Sequence, residues 1–599
     1  DKLWVKAVKL ASENQNLIPG NVHMQIKEFN TKGKVKGTEA SWLQFVETDN
    51  GRIETKLVKK LKDGEDVTDL EKEEKGNRKN LEYNSDLSDC TLPFNPKIQP
   101  NLTVKRSDQI ETKAGQVCVV YVFKCTNPKN EIVVGKAWLN LNGVPVAMSY
   151  GYDPLPKRLP KQLKEAAHEV YYQYDNDGKW YPERVFIKLK SRLLIFRRLT
   201  YIESTFSDYW IPKVLRLITN GKPHIEEHKV YAFPFEYING YLFVKVKIND
   251  LEHEYRFLLD TGASITVVNP RIAAALCFKK TAEMEVRDGF ISKKADVVRI
   301  EELNLGEITV ENCGAVIFDM GKIEADLALK IDGIIGSNFL SLFVVRIDYS
   351  KKELVFTANS DGIDDEIEKG HRIPLVKETT GLVFAPLTIA GVESPFKAEI
   401  DTGATASLLI PMHYLEEFKP VLNSKIVRCL GVLSGGAFGE SDGSISRIGQ
   451  FKLGELSIEN MVVKFENRKN DFVILGNDFL SRFIVIINYP KNEMLLLPLE
   501  GQTLETNVSN FGFYTKQNET GQIKITGLYE GLTAEQAGLR VGDAILRVVA
   551  GDESGRTYEE FIKIIGKYNT IQLYVQRDGG EEEIVLTKSW LFPEVDREN

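Results

Sequence analysis

Leu258-Leu259-Asp260-Thr261-Gly262-Ala263-Ser264 decides the reading of this chain, because it returns as Glu399-Ile400-Asp401-Thr402-Gly403-Ala404-Thr405. Each copy is an apolar-ended strand that delivers an Asp into a tight Thr-Gly turn. Leu258 and Leu259 before the first turn, and Val267 and Val268 after it, would bury both flanks and hold the carboxylate at a floor rather than on a surface loop. Asp-Thr-Gly alone is ordinary turn composition. The company of each copy changes the reading. Ile334-Ile335-Gly336 ends 76 residues after the first Asp, and Ile474-Leu475-Gly476 ends 75 after the second. Beyond each glycine the texts run in step at an offset of 140, as in Phe339/Phe479, Ser341/Ser481, Ile347/Ile487 and Tyr349/Tyr489. Upstream, Pro234 lies 26 residues before Asp260 and Pro374 lies 27 before Asp401. Two related units of roughly 130 residues are too few for a solenoid. They imply two lobes about a pseudo-two-fold axis, with the two Asp residues meeting at it.

With Asp260-Thr261-Gly262-Ala263, Asp401-Thr402-Gly403-Ala404 and the two apolar-apolar-Gly segments, residues 230 to 500 resemble the retropepsin-like aspartic proteases, both lobes in one chain. The resemblance implies two β-rich lobes, residues 230–358 and 373–502, joined by a linker at 359–372. It also implies a hairpin flap over a cleft that holds an extended polypeptide substrate. Asp260 and Asp401 would be the catalytic pair. Two carboxylates so close cannot both ionise cheaply, so one keeps a proton. The ionised member takes a proton from water while the protonated member donates to the scissile carbonyl, with no covalent intermediate and no cofactor. Which Asp does which belongs to the pair. Thr261 and Thr402 would tie the loops together through their hydroxyls, and Gly262 and Gly403 would let backbone amides approach the carboxylates. Both copies carry Ala where pepsin-like members carry Ser or Thr. Without that hydroxyl donor the pair should titrate higher, favouring cleavage at weakly acidic to neutral pH.

The flap should lie between each Asp and its apolar-Gly partner. Arg287-Asp288-Gly289-Phe290 and Ser434-Gly435-Gly436-Ala437-Phe438-Gly439 are turn-forming stretches with an exposed-looking aromatic, so Phe290 and Phe438 are the flap candidates. The glycine-rich loop of Phe438 reads as the more mobile.

At 599 residues and 43% hydrophobic, the chain has apolar content for several cores, and its expected class is mainly β and multidomain. A net charge of −8 with scattered basic residues gives no nucleic-acid signature. No apolar run reaches the length of a transmembrane segment. The chain begins at Asp1 without Met or signal segment, and a leader is expected to have been removed or left out. Six cysteines form neither a disulfide framework nor a metal set, although a bridge among Cys90, Cys118 and Cys125 stays open.

Residues 1–212 read as a separate domain. Trp4, Val8 and Ala11 mark a short opening helix before Pro19-Gly20. Strands follow at Val22 to Ile26, Trp42 to Val46, Ile53 to Val58, Cys118 to Cys125 and Ile132 to Leu141, with a charged stretch from Lys62 to Lys79. So many strands imply a curved sheet over an apolar face. Gly135-Lys136-Ala137-Trp138-Leu139 and Trp180-Tyr181-Pro182 through Tyr209-Trp210 resemble the lipoprotein-carrier and sorting family, a half-barrel that cradles acyl chains, so lipid is a candidate ligand. Residues 213–229 read as a linker or first strand. Within them His224-Ile225-Glu226-Glu227-His228 fits a zinc-peptidase pattern, but Gly221, Pro223 and Pro234 deny it the helix that metal binding needs, so no metal is expected.

Residues 505–590 change character. Asn510-Phe511-Gly512-Phe513-Tyr514, Ala534 to Gly538 and Gly538 to Leu546 are similar to a PDZ domain. Capping boxes are expected at Thr533 to Gln536 and Thr557 to Glu560. The resemblance implies capture of a peptide C-terminus by the backbone of Phe511, Gly512 and Phe513, with strand pairing alongside. Asn510 replaces the first glycine of that loop. The flanking resemblances imply a bacterial cell envelope or periplasmic location. The leading reading is an aspartic endopeptidase with polypeptide recognition at the PDZ. The rival is a non-catalytic envelope protein binding lipid or peptide on a protease-like frame, and the presence of both carboxylates speaks for the enzyme.

Overall fold

Apolar and polar residues alternate through most of this chain, and alternation builds half-buried strands. The computed structural model is accordingly mainly β, in several sheets. It describes residues 1–592 apart from 15, 31, 49–52, 71–86, 96–97, 100–101, 128–130, 157–158, 176–177, 194–195, 250, 360–369, 393–395, 437–438, 503–508, 519 and 578–579. Most of the charged stretch after Lys62, nearly all of the acidic segment between the lobes and Phe438 therefore lie outside the described residues. The chain divides into two compact units, Asp1–Arg216 and Leu217–Asn599.

The first unit opens with the helix Lys2–Glu13, capped by Asp1, whose carboxylate accepts the Leu3 amide at 2.9 Å. Trp4, Ala7 and Ala11 are its buried face, one step from the expected Trp4, Val8 and Ala11 stripe. Its strands form an eleven-stranded antiparallel sheet among the described residues, a meander in which the first long strand, Asn21–Phe29, pairs with the last, Phe196–Ser207. Trp4, Phe94, Tyr121 and Trp180 fill the core on the helix side, with the Trp4 ring 5.3 Å from Phe94 and 5.2 Å from Tyr121. All six cysteines are free, so the bridge left open by the sequence does not form. Cys118 and Cys125 share the strand Gln116–Thr126, and their odd separation sends them to opposite faces.

Residues 213–229 hold a helix and a strand, with Arg216 closing the first unit and Leu217 opening the second. The helix Lys213–Thr219 leads into the strand Lys222–His224, which pairs with Ile308–Ile317. The duplication then becomes visible in space. A six-stranded sheet takes three strands from each half, and its centre is the antiparallel pair Val344–Asp348 and Phe483–Asn488. There Arg346 stands opposite Ile486, its own counterpart at the offset of 140, so the pseudo-two-fold axis passes between them. One continuous core from Tyr231 to Leu496 serves both lobes. The second lobe's sheet does not stop at the lobe. Its strand Val427–Gly435 pairs with Ile523–Tyr529 of the C-terminal module, giving a fourteen-stranded sheet among the described residues.

Candidate functional site

Each Asp-Thr-Gly loop hangs from a parallel strand pair. Tyr255–Leu259 runs beside Gly333–Ile335, and the Asp260 amide extends the ladder to the Ile335 carbonyl at 3.0 Å. Phe396–Ile400 runs beside Val473–Leu475, and Asp401 repeats the bond to Leu475 at 3.0 Å. The apolar-apolar-Gly segments are thus the strands that carry the loops. Their glycines are required by close approach, since a Cβ on Gly336 would sit 2.5 Å from the Ile265 carbonyl carbon and one on Gly476 2.4 Å from the Ala406 oxygen.

The two loops lock to one another through buried hydroxyls. Thr261 Oγ1 donates to the Ile400 carbonyl at 2.6 Å and accepts the Thr402 amide at 3.0 Å. Thr402 Oγ1 donates to the Leu259 carbonyl at 2.8 Å and accepts the Thr261 amide at 3.0 Å. Both threonines are fully buried. Ser337 and Asn477, which follow the two glycines, hold the loops from behind: the Ser337 hydroxyl donates to the Thr261 carbonyl at 2.6 Å and Asn477 Nδ2 to the Thr402 carbonyl at 2.6 Å.

That lock brings the carboxyl groups of Asp260 and Asp401 into hydrogen-bond contact. Asp260 Oδ1 accepts the amides of Gly262 at 2.9 Å and Ala263 at 3.0 Å, and Asp401 Oδ1 accepts that of Gly403 at 2.7 Å. Each glycine lies against the opposite carboxyl: a Cβ on Gly262 would fall 2.4 Å from Asp401 Cγ, and one on Gly403 2.4 Å from Asp260 Oδ2. Both aspartates keep a half-buried surface in the cleft, yet burial pushes both carboxyls above the usual carboxylate range. For Asp260 the Asp401 charge is the next cause. The hydrogen bond with Asp260, then the loop amides and Arg468, pull Asp401 back in part. Such a pair holds one proton over a wide pH range.

Hairpins from the two lobes also meet one another. The turn after Ala282–Arg287 folds on Asp288, whose Oδ1 accepts the amides of Phe290 and Ile291 at 3.0 Å each. Its Oδ2 accepts the Gly439 amide of the second lobe at 3.0 Å. Lys469 donates its amide to the Gly289 carbonyl at 2.9 Å, and the Arg468 guanidinium reaches the Asp288 carbonyl at 3.2 Å while lying 4.9 Å over the Phe290 ring. Phe290 is therefore buried, at 7% exposure, and not the exposed tip its sequence suggests. The reason is the cationic plane of Arg468, which lies far away in sequence.

In the C-terminal module Phe511 is buried in the core, Gly512 takes φ +86° and Phe513 is half-buried, 6.4 Å from the Phe561 ring. Asn510 Oδ1 accepts the Gly512 amide at 2.8 Å, so the side chain that replaces the expected glycine occupies one donor of the loop. Thr557 forms its capping box with Glu560. Thr533 does not: Leu532 is the N-cap of that four-residue helix, with no side-chain cap. His224 lies in a strand and pairs with Glu311 at 2.8 Å, and no metal-ligating cluster occurs among the described residues. Among the described residues no helix is long and apolar enough to cross a membrane.

Sequence reasoning missed Glu399, Arg468, Ser337 and Asn477. Ser337 and Asn477 follow the paired glycines at once, and that position was the available signal. Arg468 carries no signal in the chain.

Comparison with known proteins fits the first lobe. Residues 244–339 match a family model described as "Aspartyl protease". No curated protein matches the chain. Among solved structures, basic 7S globulin from soybean (11% identity, 46% of this chain and 98% of that one, TM-score 0.30) and conglutin gamma from lupine seeds (12% identity, the same coverage and score) are similar at a level that carries no argument. The family match supports a retropepsin-like aspartyl protease domain around the Asp260 loop.

Proposed function

We propose that this protein is an aspartic endopeptidase that hydrolyses peptide bonds with water activated by Asp260 and Asp401. The observation that carries the reading is the hydrogen-bonded carboxyl pair, fixed by reciprocal threonine hydroxyls at the meeting of two duplicated lobes. The ionised member takes a proton from water as it attacks the carbonyl carbon. The protonated member donates to the carbonyl oxygen, and the resulting diol collapses as the leaving nitrogen is protonated. The aspartyl protease match around Asp260 agrees with this chemistry.

The reading extends to recognition. The C-terminal module, with its PDZ resemblance, would bind polypeptide by adding a strand beside Phe513–Gln517, since Asn510 already uses a loop donor that a terminal carboxylate needs. An envelope location and a lipid ligand for the first unit belong to the same proposal and rest on the resemblances of the flanking domains. Peptide-library cleavage by the wild type, beside Asp260→Asn and Asp401→Asn, tests the function. Cleavage lost in both variants, together with binding of a pepstatin-like inhibitor, is the expected result, and cleavage that survives either substitution overturns it.

A further inference from the structure

The strands that carry the catalytic loops have two faces. On Phe396–Ile400, Ala398 and Ile400 point into the core shared by the lobes. Alternation then turns Glu399 to the other face, the one from which Asp401 is presented. Its neighbours across the ladder are Phe384 and Ile474, and Ile474 joins Leu409 in a small apolar cluster apart from the main core.

The first lobe repeats this wall with a different residue. Phe257 and Leu259 point into the core, so Leu258 occupies the position of Glu399. Ile334 and Val267 pair with one another as Ile474 and Leu409 do. Leu258, Ile334 and Val267 are 3%, 8% and 9% exposed and lie outside the main core. Two apolar walls thus flank the aspartates, and the second has a carboxyl group, 5% exposed, where the first has an isobutyl group. The duplicate shows that Leu fills this position, so packing does not demand the acid. Burying a carboxyl in such a wall is costly.

Resting on the endopeptidase reading, we propose that Glu399 sets the specificity of the second lobe's side of the cleft, selecting a lysine or arginine side chain next to the scissile bond. An extended substrate turns successive side chains to opposite walls. The residue against Leu258 would be apolar and its neighbour across the scissile bond basic. Burial, then the charges of Asp401 and Asp260, with Glu378 a smaller contributor, holds the Glu399 carboxyl well above the usual range, against the opposing pull of Arg468. Arg468 itself is engaged by Glu466 at 3.3 Å and by the Asp288 carbonyl. An arriving substrate cation draws off the Glu399 proton, which leaves to solvent, and the buried ion pair so formed discriminates against a neutral side chain.

The test is library profiling of the wild type, Glu399→Leu and Glu399→Gln, with melting curves to establish folding. We expect a basic residue on one side of the cleaved bond in the wild type. In Glu399→Leu the preference falls about tenfold or more and apolar residues are accepted on both sides. Glu399→Gln, which keeps the volume, loses the charge preference and keeps the test readable if the Leu variant does not fold. A wild type that cleaves without a basic preference, or variants with an unchanged profile, overturns this inference alone. A wild type that cleaves nothing overturns the endopeptidase reading and this inference with it.

Discussion

Gly262 lies so close to Asp401 that a methyl group on it would meet the carboxyl carbon at 2.4 Å. The loop of one lobe therefore fixes where the carboxylate of the other can stand, and Gly403 does the same to Asp260. Gly262→Ala should push Asp401 out of contact with its partner. Misplacement by about an ångström costs roughly 10²-fold in rate, so kcat/KM should fall by at least that factor while the circular-dichroism spectrum stays that of a folded β protein.

The aspartates should also weaken the fold they serve. Both carboxyls titrate above the usual value in the folded state, so folding holds their protons more tightly than the unfolded chain does. That contribution is whole below about pH 4, the unfolded value, and is lost as pH rises through the raised values. Asp260→Asn removes one of two crowded charges. Its Tm should exceed that of the wild type at pH 7, and the gap should close toward pH 4. A variant that melts lower at pH 7 would contradict the crowding.

Each threonine hydroxyl both donates and accepts across the loop junction. Thr261→Val leaves the Ile400 carbonyl and the Thr402 amide without that partner in a fully buried place. The cost should be about 2–4 kcal/mol, read from denaturant unfolding, and Thr402→Val should cost a similar amount because the bonds are reciprocal.

The meeting of the two hairpins rests in part on Asp288. Asp288→Ala removes the acceptor of the Gly439 amide. Amide exchange along Glu440–Leu453 should quicken by about tenfold, equivalent to about 1.4 kcal/mol. Unchanged protection would mean that the Arg468 contacts suffice.

Near the pseudo-two-fold axis, Asp348 is fully buried and lies 3.1 Å from Arg346. Burial pushes its carboxyl up, but the Ser350 hydroxyl, the Lys351 amide and Arg346 outweigh it, and the result lies below the usual value. This stabilisation is present above about pH 4 and is lost as pH falls through the lowered value. Asp348→Ala should cost about 3–5 kcal/mol at pH 7, with a smaller difference at pH 3, by chemical denaturation at both.

Much of the candidate site was legible because duplication prints its pattern twice: Asp260 and Asp401, their threonines and both glycine segments stand in step. Glu399 stands two residues before Asp401, yet the sequence alone gives it no role. One acid in a strand says nothing until the sheet shows which way its neighbours point, and here Ala398 and Ile400 claim the core side. Phe290 was misjudged for a similar reason, since its cover, Arg468, is brought near by the closing of the lobes. The pairing of Cys429–Gly431 with Gly527–Tyr529 left no trace in sequence, because backbone edges join without asking for particular side chains.

That last ladder has a mechanical consequence. For the second lobe's hairpin to lift, the C-terminal module must travel with it or three residue pairs must come apart, whereas among the described residues the hairpin of Ala282–Arg287 and Ser292–Leu305 bears no such load. Of the two hairpins, the one without that ballast should be the quicker to move.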